Sequence, residues 1–236
     1  MKRAIAIWSL ALGALLCAPV PALGWANGGH GGNGFGTHDW VLKEANRLAA
    51  KKNAGWVDLK VALPVTDDPD TRFHDVYYHV YDRWGSTYGD APKKVALYFG
   101  RALAYRKQGK YGAASRMVGY LSHYYSDICN PLHTDQTKAE EGMHSNYESA
   151  VNTRTDARGE HRQWIRFDGY RRVLQAGRKA KSAAVAAHKN YAALVSHYGA
   201  HGYDATVSLI TRRAMNRAAN GLADMIVTLK RLAPPR

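Results

Sequence analysis

A chain of 236 residues, 46% hydrophobic and 22% charged, has room for one ordinary domain and too much apolar content for a disordered one. Its 22 glycines and 8 prolines follow no repeat, which excludes a collagen-like chain, and a formal charge of +14 suits a phosphate-bearing partner without selecting one. Eleven histidines are left unexplained by composition.

The N-terminus reads as an export signal over residues 1–24. Lys2 and Arg3 form a short positive region, Ala4 to Leu16 an apolar run, and Ala22-Leu23-Gly24 puts small residues at the −3 and −1 positions of a cleavage site. The run is too short to span a bilayer comfortably. Cleavage after Gly24 leaves Trp25 as the new terminus, and the charge falls from +14 to +12 because only Lys2 and Arg3 are lost. Cys17 departs with the signal, so Cys129 is the single mature cysteine and no internal disulfide can form. The expected location is secreted or periplasmic.

Trp25 to Gly36 is too glycine-rich for regular structure. Thr37 is the expected N-cap of a first helix carrying Trp40, Val41, Ala45, Leu48 and Ala49. Pro64 to Asp90 reads as irregular. Asp90-Ala91-Pro92 opens a second helix, Tyr111 to Ile128 is a third, and Met143 to Val151 a fourth. Two long helical segments, about 167–198 and 204–232, complete the chain. With no alternating β pattern and no linker, the expectation is all-α: a single compact helical domain over residues 25–236.

His123 and Asp127 stand four apart on the third helix, and His144 and Glu148 repeat that spacing on the fourth, with His133 between them. Residues four apart share one helix face, so each pair can present nitrogen and oxygen to one ion. Zinc takes that donor set at about 2.0–2.2 Å. Either pair alone could be an ordinary helix surface. Five such residues within 26 positions argue for a metal.

The run Leu121-Ser-His-Tyr-Tyr-Ser-Asp-Ile-Cys-Asn-Pro-Leu-His133, followed by Gly142-Met-His-Ser-Asn-Tyr-Glu148, resembles the secreted zinc-dependent phospholipase C family, whose pattern is H-x3-D-x5-H and then H-x3-E. Mature members begin with a Trp that binds zinc through its free amine and carbonyl, and Trp25 stands at the expected cleavage site. His38, within Gly36-Thr-His-Asp-Trp40, and His79, within His79-Val-Tyr-Asp82, resemble two further ligands. For the acidic ligand before His79, Asp70 is preferred to Asp68; His79 is preferred to His74, and His38 to His30.

The resemblance implies an all-α fold built around three zinc ions. Asp70, His79, His123 and Asp127 would hold one, Trp25, His38 and a bridging Asp127 its neighbour, and His133, His144 and Glu148 the third. It implies hydrolysis of a phospholipid to diacylglycerol and a phosphorylated head group, with Asp70 as general base. The expected chain is a monomer without a stable protein partner. A single-strand-specific zinc nuclease is the first alternative, supported by charge and aromatics; those relatives usually have a longer insertion and end the motif in Asp. A non-catalytic exported metal-binding protein is the second. Ala26-Asn-Gly-Gly29 lacks the acidic residue of choline-preferring members.

Overall fold

In a computed structural model, residues 25, 35–140, 142–155 and 162–234 are described, Arg162 by its backbone alone. The expected signal, its cleavage site, Cys17, His30 and His161 lie outside them. The described residues are helical, without a strand. The helices are α1 (Thr37–Ala50), α2 (Leu59–Ala62), α3 (Ala91–Lys107), α4 (Tyr111–Asp127), α5 (His144–Thr155), α6 (Ala176–His188), α7 (Tyr191–His201) and α8 (Ala205–Leu232).

α3 and α4 form a helical hairpin, turned at Gly109 with φ +73°. α4 is the centre of the domain and is buried from Val118 to Asp127. It packs against α2 through Gly119, where a Cβ would meet the carbonyl of Ala62, and against α8 through Gly221, where a Cβ would meet Tyr125. α1 lies along α8, and their apolar faces merge around Trp40, Leu48, Leu222 and Ile226. Among the described residues no helix is long and apolar enough to cross a membrane.

Two sequence expectations need correction. Gly36, not Thr37, caps α1: the Asp39 carboxylate accepts the Gly36 N–H at 2.9 Å, while the Thr37 hydroxyl lies 2.8 Å from that of Thr155. A tertiary contact has taken the hydroxyl that would have capped the helix.

The segment read as helical over about 167–198 is also different. It runs without helix to Gln175 and then forms α6 and α7. Side chains of α8 capture its backbone amides in sequence. Asn216 accepts from Arg166 N at 2.8 Å, Asn220 from Asp168 N at 3.1 Å, Asp224 from Arg171 N at 2.8 Å and Thr228 from Val173 N at 3.0 Å. The acceptors recur every four residues, so they form one stripe along α8. Gly169, at φ +93°, supplies the turn within this segment.

The stretch before α3 is irregular, as expected, and made of single turns. A π-turn spans Pro69–Phe73 and a 3-10 turn Val76–Tyr78. Buried Asp82 closes the stretch by accepting the backbone N–H groups of Trp84, Gly85 and Ser86.

Candidate metal centre

α4 delivers His123 and Asp127 from its last two turns, both fully buried. α1 brings His38 to stack on His123 with centroids 3.9 Å apart. The irregular stretch adds Asp70 and His79. Asp127 stands between two groups. Its Oδ1 is 3.5 Å from His38 Nε2 and accepts from Trp25 N at 3.3 Å; its Oδ2 is 2.9 Å from His79 Nδ1 and 3.3 Å from His123 Nε2. Asp70 Oδ1 is 3.3 Å from His79 Nδ1 and 3.5 Å from His123 Nε2.

α4 ends at Asp127, and a 3-10 turn, Pro131–His133, capped by Asn130, carries His133 toward α5. There His133 Nε2, His144 Nε2 and Glu148 Oε1 converge: Glu148 lies 3.1 Å from one nitrogen and 2.9 Å from the other. Donor atoms from His38, Asp70 and His123, from His79, His123 and Asp127, and from His133, His144 and Glu148 form three sets, each within 4.8 Å of one another.

This donor chemistry fits zinc. His79 Nδ1 and His123 Nε2 approach to 3.0 Å, and the two Nε2 atoms of His133 and His144 to 3.3 Å. Buried His38 Nε2 and Asp70 Oδ2 have no hydrogen-bond partner. A dication satisfies such inward-facing nitrogens and oxygens together. Four of the rings are anchored by their other nitrogen. His38 Nδ1 meets Ser126 Oγ at 2.8 Å, His79 Nε2 meets Asp75 at 3.2 Å, His133 Nδ1 donates to the His79 carbonyl at 3.0 Å and His144 Nδ1 donates to Glu140 at 2.7 Å. Outer partners of this kind set tautomer and ring orientation. His123 lacks such a partner and is held by its stack on His38.

Without metal, the buried acids and imidazoles of the cluster set one another's charge. Burial lowers His38 to about 3, with the His123 imidazole adding to the effect, so His38 is a neutral ring. Burial would raise Asp70, but His123 and His79 outweigh it and hold it at about 2. Burial likewise opposes the charge on Asp127, yet the His123 imidazole, itself held protonated, keeps it well below the usual carboxylate range. His144 loses to burial and gains more from Glu148 and Glu140, which raise it to about 10.

The rival residues point elsewhere. Asp68 accepts from Tyr120 at 3.1 Å and pairs with exposed Arg72 at 3.3 Å. His74 is exposed, with φ +50°. His188 stacks on Trp84, His197 pairs with Asp204 and His201 is exposed. Cys129 is buried and free, and burial pushes its thiol up to about 12. The sequence reading missed Asp75 and Glu140. Each stands four residues before a candidate ligand histidine, the same spacing that exposed the ligands themselves.

The sequence model of the family described as zinc dependent phospholipase C matches residues 58–198, more than half of the chain. A phospholipase C of Listeria monocytogenes serovar 1/2a (strain ATCC BAA-679 / EGD-e) is 27% identical over 154 residues, covering 56% of this chain and 53% of that protein. The chain thus spans about half the length of this curated relative. The alpha-toxin of an avian strain of Clostridium perfringens has a similar fold, with TM-score 0.67 and 16% identity over 86% of this chain and 65% of that one. The alpha-toxin of Clostridium absonum is similar at TM-score 0.64 and 15% identity, with 86% and 66% covered. With an all-α fold and buried His, Asp and Glu groups fit for a metal, the chain belongs to the zinc-dependent phospholipase C family.

Proposed function

We propose that this protein is a zinc-dependent phospholipase C, cleaving phospholipids to diacylglycerol and a phosphorylated head group. The observation that carries this reading is the division of Asp127, one oxygen toward Trp25 and His38 and the other toward His79 and His123, beside a second convergence at Glu148. Three zinc ions are the stoichiometry this arrangement supports. Residues 1–24 are read as an export signal, and 25–236 as the mature helical domain, a monomer acting outside the cytoplasm.

Zinc, when bound, supplies Lewis acidity to the phosphoryl oxygens and acidifies attacking water. The protein's own part is positioning. Asp127 and Asp70 hold the imidazoles of His79 and His123 from both sides, and Ser126, Asp75 and Glu140 prevent rotation of the rings they anchor. Asp70 Oδ2, buried and without a hydrogen-bond partner, is the atom assigned to orient the attacking water and take its proton. His133, His144 and Glu148 would hold the zinc that stabilises the leaving alkoxide.

The test is mature protein with added zinc, assayed in parallel on phosphatidylcholine, phosphatidylethanolamine and single-stranded nucleic acid. Release of phosphorylated head group is expected. Nucleotide release without lipid cleavage would replace this reading with the nuclease.

A further inference from the structure

The proposed reaction leaves the chain's positive charge unused, and the structure gathers much of that charge on one face. Lys93 at the start of α3, Arg172 on the extended segment, Arg178 and Lys181 on α6, and Arg213 and Arg217 on α8 surround adjoining shallow hollows of about 410, 350 and 600 Å³. Among the described residues none of the six has a carboxylate partner. Of the carboxylates on this face, Asp168 and Asp224 are already paired with Arg171 at 3.2 Å and Lys179 at 2.6 Å, and Asp90 lines the 410 Å³ hollow against the three cations Lys93, Arg178 and Lys181.

The placement of these cations does not serve α6 itself. Its first turn holds no acid, and Arg178 sits in that turn at the positive end of its dipole, where cations are disfavoured. Beside them Leu174 is 71% exposed, the highest value among the large exposed hydrophobics described. An apolar tip ringed by cations matches the interface of an anionic bilayer: phosphates meet the cations while the leucyl side chain enters the glycerol and acyl boundary.

We infer that this face docks the protein onto anionic phospholipid bilayers, a surface distinct from the metal centre. A single-stranded nucleic acid would ask for exposed aromatics to stack on, and none lines these hollows. The inference rests on the lipid-hydrolase reading only in its choice of surface, and the test separates the two.

Mature zinc-loaded protein starting at Trp25 is mixed with vesicles of phosphatidylcholine, alone or with phosphatidylglycerol, and binding is read within seconds, before lipid turnover. Hydrolysis of dispersed short-chain phosphatidylcholine and phosphatidylethanolamine and the melting temperature are measured alongside. Arg172→Gln/Arg178→Gln/Lys181→Gln should lose at least about tenfold in binding to phosphatidylglycerol vesicles, with short-chain hydrolysis and melting unchanged. High salt should weaken the wild type similarly, and Leu174→Ser should weaken binding while keeping the salt dependence. Equal binding by wild type and triple variant, or no wild-type preference for phosphatidylglycerol, overturns the inference. Should short-chain phosphatidylcholine and phosphatidylethanolamine both resist hydrolysis while vesicle binding still depends on the three cations, the docking stands and the lipid-hydrolase reading fails.

Discussion

Glu140 Oε1 sits 2.7 Å from His144 Nδ1, on the side of the ring turned away from Glu148. The other Glu140 oxygen accepts from Tyr191 at 2.7 Å, so α7 reaches the metal centre through one carboxylate. Glu140→Ala should reduce affinity for one zinc by about 10–100-fold, and Tyr191→Phe by less. Titration with a competing chelator reads this directly. Unchanged affinity in Glu140→Ala would show that α5 alone orients His144.

Asp127 serves both halves of its cluster, so Asp127→Asn should abolish activity and remove more than one zinc equivalent. His144→Ala should remove about one and leave the rest. Metal analysis of the two purified variants distinguishes them, and loss of a single equivalent from Asp127→Asn would contradict bridging.

The metal-free protein should lose stability at high pH. His144 is raised from 6.5 to about 10, so its contribution is complete below about 6.5 and disappears as pH rises through 10. Zinc requires the unprotonated ring, so loaded protein should show no such loss over that window. Melting temperatures of chelated and zinc-loaded samples from neutral to pH 10 make the comparison. The loaded form should also melt higher at neutral pH, because the donor sets join α1, the irregular stretch, α4 and α5.

Trp25 is fully buried. Its indole donates to the Ser126 carbonyl at 2.9 Å, and its backbone nitrogen faces Asp127. If a free amine at this nitrogen binds zinc, protein starting at Trp25 should hold more zinc and turn over faster than protein carrying one extra Met. Equal zinc content and turnover would leave Trp25 a buried aromatic and nothing more.

The helical part of the site was legible because helix periodicity is local: residues four apart on α4 and α5 share a face whatever surrounds them. The choice between Asp68 and Asp70 was not local. Both lie on one acidic turn, and only the packing of α4 sends Asp70 toward His79 and His123 while Tyr120 holds Asp68. The extended segment was misread for the same reason. Its order comes from α8 side chains about fifty residues away, which window-based periodicity does not sense.

The stripe on α8 behaves as a ruler. Four helical residues advance about 6 Å and two extended ones about 6.6 Å, so successive rungs nearly match. The steps between captured amides are two, three and two residues, and the odd residue falls where Gly169 turns the chain. A segment that looks like a loop is therefore counted residue by residue. Inserting or deleting one position between Arg166 and Val173 would put every later rung out of step, whereas changing their exposed side chains would cost little. Relatives sharing this stripe should keep the segment's length even where its sequence drifts.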